Sequence, residues 1–170
     1  MDIALLIVRL IVGLAFAAHG SQKLFGWFGG YGLAGTGGFF ESIGFKPGKL
    51  FAGAAGTAEL VGGLLLVLGL GGPIAATLLI ATMTVAALGV HLPNGFFASN
   101  NGYELPVVYA AVAAIFAFVG FGVYGLDATL GWASFWTAGL DWAFIGLGIV
   151  GGLVNLALRR KPAPAAAPQS

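Results

Sequence analysis

The sequence contains no cysteine among its 170 residues. This absence excludes disulfide bonds, thiol relays, cysteine-ligated iron–sulfur clusters and covalent c-type haem attachment through this chain. Charged residues are also scarce: they make up 8% of the sequence, against about a quarter in soluble domains. Because so few charges cannot coat a water-facing surface, the composition predicts an integral membrane protein.

Hydrophobic residues are abundant instead, at 59%, and they gather in runs of roughly 20, the length that crosses a bilayer core of about 30 Å. We predict five transmembrane helices at about residues 3–20, 50–71, 73–92, 105–122 and 140–158. Residues 1–158 are thus expected to form one all-α integral membrane domain. The basic, Pro- and Ala-rich tail 159–170 is predicted to be disordered.

Two stretches between the spans are predicted to lie at the membrane interface. Residues 21–49 are rich in Gly and Phe, and Trp27 and Tyr31 are expected at the headgroup level, where amphipathic rings collect. Residues 123–139 are read as a second interfacial loop.

The basic residues predict an orientation. They form two groups, Lys23, Lys46 and Lys49 after the first span, and Arg159, Arg160 and Lys161 after the fifth. With five spans both groups fall on one side of the membrane, which the positive-inside rule assigns to the cytoplasm. The N-terminus is therefore predicted outside and the C-terminus in the cytoplasm.

Two ionisable residues lie inside predicted spans, Arg9 in the first and Glu59 in the second. Counted from the same side, both are roughly 14–15 Å deep at 1.5 Å per residue. Because intramembrane charges are costly unless paired, we predict an Arg9–Glu59 ion pair, with either a structural role or a role in proton movement or ligand binding.

A second polar set lies near the cytoplasmic ends of three spans. Its members are His19, Gln22, Lys23, His91, Asn94, Tyr103 and Glu104. On the third span, Thr77, Thr84 and His91 are spaced to share one helix face. A single histidine at a helix end is usually a capping or interfacial residue, but the convergence of three helices indicates a ligand-binding site.

Several ligands suit these residue types. Histidine or lysine could donate to a quinone carbonyl, and histidine titrates near neutral pH, so a quinone is the candidate cofactor. A metal site from His19, His91 and Glu104 uses acceptable ligands but lacks supporting spacing, and no metal is predicted. Bis-histidine haem has no other support, and no covalently bound cofactor is predicted.

The motifs HGSQKLFGWFGGYGLAGTGGFF, AELVGGLLLVLGL, HLPNGFF and GYELP together resemble the DoxX family of small membrane proteins over roughly residues 3–127. The resemblance implies a four-helix transmembrane bundle in the bacterial inner membrane and an association with quinone-linked redox chemistry. The fifth C-terminal helix, 140–158, is predicted from its apolar run and lies beyond the core of that family. It matches His19, Gln22, Lys23, Glu59, His91, Asn94, Tyr103 and Glu104 to motif positions.

Three functions remain open at this stage. The first is a quinone-interacting subunit of a membrane oxidoreductase, and the second is a non-enzymatic scaffold or accessory subunit of a larger complex. The third is a small-molecule transport module, against which the chain shows no clear inverted repeat. Whether the chain is an enzyme stays undecided. The expected partners are the lipid bilayer and a partner subunit or a second copy of the chain, with no nucleic acid.

Overall fold

A computed structural model describes residues 1–160, which fold into helices without strands. The helices are α1 (Asp2–Phe25), α2 (Gly32–Ser42), α3 (Gly48–Leu68), α4 (Pro73–Ala86), α5 (Glu104–Val119), α6 (Leu126–Thr129) and α7 (Ala138–Ala157). A π-helical turn and a 3₁₀ turn extend α4 to Asn94. The predicted all-α membrane bundle is confirmed.

Among the described residues 1–160, four helices are long and apolar enough to cross a membrane, namely α1, α3, α7 and the extended α4 (Pro73–Asn94). The predicted span at 105–122 is present as α5, which has only 16 residues and is roughly 24 Å long. It still runs from one end of the bundle to the other. Its first residue, Glu104, bonds to the Phe96 carbonyl, and beyond its last turn the Phe121 carbonyl meets Arg9.

Apolar side chains fill the interior and also cover the outside of the bundle. Phe16, Leu79 and Phe116 are buried in the core where α1, α4 and α5 meet. Ile11 and Leu147 are more than half exposed, among many large hydrophobic residues on the outer surface. A surface of this kind is stable in lipid rather than in water.

Helix α1 is longer than the predicted span, because Gly20 packs against α3 instead of ending the helix. A Cβ atom at Gly20 would lie 2.5 Å from the Leu60 backbone nitrogen, and one at Gly13 would lie 2.7 Å from the Gly63 carbonyl oxygen. Small residues therefore bring α1 and α3 into backbone contact. The helix ends only at Gly26, which adopts the left-handed conformation with φ 75°.

The segment after α1 is more helical than an interfacial loop would be. It makes a tight turn at Gly26–Tyr31 and then forms α2, which packs beside the start of α3. Glu41 fastens the two helices, since its Oε1 accepts a hydrogen bond from the Gly48 backbone nitrogen at 3.0 Å. Trp27 and Tyr31 are exposed, and their position at the headgroup level stays a prediction.

The segment before α7 folds back over the α3–α4 turn. The buried Asp127 carboxylate accepts hydrogen bonds from the backbone nitrogens of Gly71 and Gly72, at 2.9 and 2.7 Å, and from Trp136 Nε1 at 2.9 Å. The predicted interfacial loop 123–139 is therefore held to the bundle, with the Asp127 carboxylate as its main polar contact to the α3–α4 turn.

The first two residues of the predicted disordered tail are ordered. Arg160 donates its backbone N–H to the Gly44 carbonyl at 2.9 Å. Arg159 donates to the carbonyls of Ile43 and Gly89, and its guanidinium lies 6.0 Å from the centre of the Phe45 ring. The prediction of disorder is wrong for Arg159 and Arg160, because side-chain contacts outweigh composition there. The rest of that predicted tail, 161–170, lies outside the described residues.

Replacing Arg159 by alanine is expected to lower the free energy of unfolding by about 2 kcal/mol, since two hydrogen bonds from a charged donor are lost. The matched control is Arg160→Ala, because Arg160 bonds through its backbone and its exposed side chain can be removed without breaking that bond. Hydrogen exchange at residues 43–45 should accelerate in the first variant alone. Equal exchange in both variants would show that the Arg159 guanidinium does not hold this turn.

Candidate functional site

A cavity of about 630 Å³ lies between the helices at the end of the bundle where α1 and the extended α4 terminate. Its wall is mostly apolar, with an aromatic side built from Phe39, Phe40, Phe45 and Phe51 of the α2–α3 region. The polar and ionisable residues that line it are His19, Lys23, Glu59, Thr82, His91, Asn101, Tyr109 and Asn155. These residues come from α1, α3, the extended α4, the loop before α5, α5 itself and α7, so only the tertiary fold assembles them.

An ion pair lies in the cavity wall, and it differs from the predicted one. Lys23 Nζ donates to Glu59 Oε2 at 2.5 Å, where the Lys23 side chain is 26% exposed and that of Glu59 is 5% exposed. The predicted Arg9–Glu59 pair is therefore wrong. Because α1 continues to Phe25, Lys23 lies on the same helix as His19 and comes level with Glu59 on α3.

Arg9 lies near the other end of the bundle. Its Nη1 donates to the Phe121 carbonyl at 3.1 Å and its Nη2 to the Tyr124 carbonyl at 2.5 Å. Arg9 lies sixteen residues before the end of α1 (25 − 9 = 16), which corresponds to roughly 24 Å along the helix. Glu59 lies eleven residues after the start of α3 (59 − 48 = 11), which corresponds to roughly 16 Å from the same end of the bundle. The equal depths assumed for the predicted pair do not exist.

His91 reaches the cavity because α4 ends in a π-helical turn, Ala87–His91. Regular helical spacing would keep His91 on the face of Thr77 and Thr84, which packs against α7: Thr77 Oγ1 donates to the Phe144 carbonyl at 2.9 Å. One extra residue in a turn rotates everything after it by about 100°. The expectation that the three residues share a face is therefore wrong for His91, which lines the cavity whereas Thr77 and Thr84 do not.

Hydrogen bonds fix the tautomers of both histidines in their neutral forms. His91 Nδ1 lies 2.7 Å from the Asn101 backbone carbonyl, which can only accept, so this nitrogen carries the proton. His19 Nδ1 lies 3.1 Å from Gln22 Oε1, and the Gln22 amide is oriented by its own donation from Nε2 to the Phe28 carbonyl at 3.1 Å. Each neutral imidazole therefore keeps Nε2 as a hydrogen-bond acceptor and gains a donor there when protonated.

Of the predicted ligand-binding set, His19, Lys23 and His91 line the cavity, and the other four do not. Gln22 supports His19, and Asn94 Nδ2 donates to the Asn101 carbonyl at 3.2 Å. Glu104 Oε2 accepts from the Ala98 backbone nitrogen at 2.8 Å, and Tyr103 packs edge-on against Phe96. These four residues build the loops around the site.

Glu104 also leaves the alternative metal site without its third ligand, because its carboxylate holds the Ala98 turn. Within residues 1–160, no three His, Cys, Asp or Glu side chains are grouped closely enough to hold a metal ion.

Sequence reasoning missed four polar residues of the cavity, Thr82, Asn101, Tyr109 and Asn155. Asn155 carried the clearest signal, as an amide inside an apolar span. Tyr109 packs tilted against Phe16 with ring centres 5.2 Å apart, so these two rings join α5 to α1 beside the cavity. A tyrosine in an apolar run gives no sign of such a contact without the fold.

The permanent charges of the cavity are paired. Lys23 and Glu59 neutralise each other, and the remaining polar groups are imidazoles, hydroxyls and amides. Such a site favours an uncharged ligand with a few polar atoms on an apolar body over a phosphate or a metal ion.

The fold and the cavity together define a multi-pass α-helical membrane protein with an internal cavity at one end of its bundle. The chain belongs to the DoxX family: the family model matches residues 4–92, the part that holds His19, Lys23, Glu59 and His91. The resemblance seen in the sequence motifs is thereby confirmed.

A relative in Haemophilus influenzae, whose description is "Uncharacterized protein", is 35% identical over 123 residues, which cover 71% of this chain and 85% of that protein. No solved structure matches this chain.

Proposed function

We propose that the protein is a membrane subunit that binds the head of a lipid-soluble quinone in the cavity and serves quinone-linked redox chemistry. The observation that carries this proposal is the cavity itself, in which two histidines and a Lys–Glu pair meet an aromatic wall inside a membrane bundle.

The cavity fits such a ligand in size and in charge. Its volume of about 630 Å³ falls within the range of about 300–1,000 Å³ typical of small-molecule sites. A quinone head is flat, uncharged and apolar apart from its oxygens, so the phenylalanine wall suits the ring, and the near-neutral polar set suits the oxygens.

The histidine tautomers support a role in proton transfer. Neutral His19 or His91 can accept a proton at Nε2 from a quinol hydroxyl, and the protonated ring can donate to a quinone carbonyl. Lys23 offers a further donor beside Glu59. The chain has no cysteine and no dinucleotide-binding motif, so the proposed electron exchange uses either the redox centre of a partner protein or the quinone as the only carrier.

The proposed location is the bacterial inner membrane, with the N-terminus outside and the C-terminus in the cytoplasm. The bond from Arg160 to Gly44 supports this orientation, since it puts the basic end of α7 beside the Lys46–Lys49 turn. Cations gathered at one end of a bundle favour the cytoplasmic side.

A second candidate function is a non-enzymatic accessory subunit. The outer face of α7 favours it, because a Cβ atom at Gly139, Gly146 or Gly151 would meet no other atom within 4 Å. Glycines open to the membrane allow another helix to approach closely.

Purification in mild detergent, followed by solvent extraction and mass spectrometry, tests the proposed function. The wild-type protein should retain a quinone in stoichiometric amount. His91→Ala should retain about one tenth as much, the loss expected from one hydrogen bond in a buried site.

Asn94→Ala is the matched control, because Asn94 bonds to the same Asn101 carbonyl as His91 but does not line the cavity. It should retain quinone as the wild type does. A wild-type protein without quinone, but with a reproducible partner subunit, would refute the quinone site and favour the accessory role.

A further inference from the structure

A second apolar depression adjoins the cavity on the membrane-facing side of α3. It has a volume of about 500 Å³ and lies along Gly53, Ala54, Thr57 and Ala58, with Leu78 of α4 at its edge. Ala54 and Ala58 line both this groove and the cavity. The side chains of these two alanines therefore form the wall that the cavity and the groove have in common.

The packing of the α3–α4 hairpin explains the opening. The two helices touch near their connecting turn, where a Cβ atom at Gly62 would lie 2.8 Å from Leu79 Cδ2. Towards the other end of α3 the side chains that line the cavity include the small residues Ala54, Ala55 and Ala58. These methyl groups do not fill the space between the helices, so the cavity and the groove lie on either side of a thin wall.

We propose that the groove holds the hydrocarbon chain of the same amphiphile whose head occupies the cavity, and that this chain leaves the bundle between α3 and α4 past Ala54 and Ala58. The inference rests on the proposed function. A single hydrocarbon chain is the occupant that suits a mostly apolar groove that faces the membrane and shares Ala54 and Ala58 with the cavity.

The groove would accommodate the hydrocarbon chain without adding much to the free energy of binding. Lipid tails are as apolar as the groove, so moving a chain from the bilayer into it releases little free energy. Its effect is to let the head enter the cavity while the chain stays in a membrane-like environment. A cavity without such an exit would have to coil the chain inside or reject the ligand.

The variant Thr57→Trp tests this exit, because Thr57 is exposed in the groove and does not line the cavity. Two probes share a dimethoxy-methyl-benzoquinone ring, one without a side chain and one with a decyl chain, and both are titrated into the protein in lipid nanodiscs. Thr57→Trp should weaken the affinity for the decyl probe about tenfold or more and change the affinity for the ring-only probe by less than about twofold. This difference is expected because the tryptophan side chain would obstruct the hydrocarbon chain but not the ring.

Ala143→Trp is the matched control, since Ala143 is exposed on α7 and lines neither space; it should bind both probes as the wild type does. If Thr57→Trp does not fold, Gly53→Leu fills the same groove, where a Cβ atom would meet only Leu33 Cδ1 at 3.7 Å.

Two results would refute the proposed chain exit while leaving the proposed head site in place. One is equal affinity of Thr57→Trp and the wild type for the decyl probe, and the other is an equal loss of affinity for both probes in Thr57→Trp. Failure of the wild type to bind either probe would instead refute the proposed function, and the exit with it.

Discussion

Replacing Lys23 by methionine is expected to lower the free energy of unfolding by about 3–5 kcal/mol, because it leaves the Glu59 carboxylate buried without its partner. Glu59 is only 5% exposed on its side chain, and Lys23 is its ion-pair partner within residues 1–160.

Removal of the other partner should cost less. In Glu59→Gln the amide oxygen can still accept from Lys23, and the partly exposed lysine can turn its ammonium towards water. The expected loss is about 1 kcal/mol. The double variant Lys23→Met/Glu59→Leu should recover much of the stability lost in Lys23→Met, since it removes both buried charges together.

Unfolding in mixed micelles with a rising fraction of denaturing detergent, followed by circular dichroism, measures these differences. The double-mutant cycle isolates the coupling between Lys23 and Glu59. Equal effects of the two single variants, or a double variant no more stable than Lys23→Met, would contradict a buried, mutually dependent pair.

Replacing Gly63 by leucine is expected to destabilise the protein by more than about 3 kcal/mol, because overpacking here acts on backbone rather than on movable side chains. A Cβ atom at Gly63 would lie 2.6 Å from both the Ala17 nitrogen and the Gly13 carbonyl oxygen. Helices α1 and α3 would have to separate, and Lys23 would move away from Glu59.

Gly146→Leu is the control, since α7 carries a glycine there with open space around its Cβ position. Size-exclusion chromatography and the same unfolding titration should give a wild-type-like Gly146→Leu and an aggregated or weakly folded Gly63→Leu. Normal stability of Gly63→Leu would show that α1 and α3 do not make backbone contact in the membrane.

The sequence predicts the helices better than their ends. Runs of apolar residues are enough to predict a membrane bundle, but a glycine can either end a helix or pack it against another. Gly20 packs against Leu60 and Gly26 ends α1, and the two look alike in the sequence. That ambiguity shortened the predicted first span and led to the wrong partner for Glu59.

The candidate site could be predicted only in part, for a related reason. His19, Lys23 and His91 were found because charged and aromatic polar residues are rare in such a chain. The register of one turn then decides which of them meet: the π-helical turn directs His91 into the cavity, whereas regular spacing would have placed it on the face that packs against α7. Asn101 and Asn155 join the cavity through contacts distant in the chain.

Composition by itself determined that this is a membrane protein, because a chain with long apolar segments and few charged residues is stable in a lipid bilayer rather than in water. The motifs determined its family. The tertiary structure decided that Glu59 pairs with Lys23, that Arg9 binds backbone carbonyls at the far end, and that Arg159 folds onto the bundle. Those outcomes depend on distances of a few ångströms between helices, and such distances are set by packing between residues far apart in the sequence.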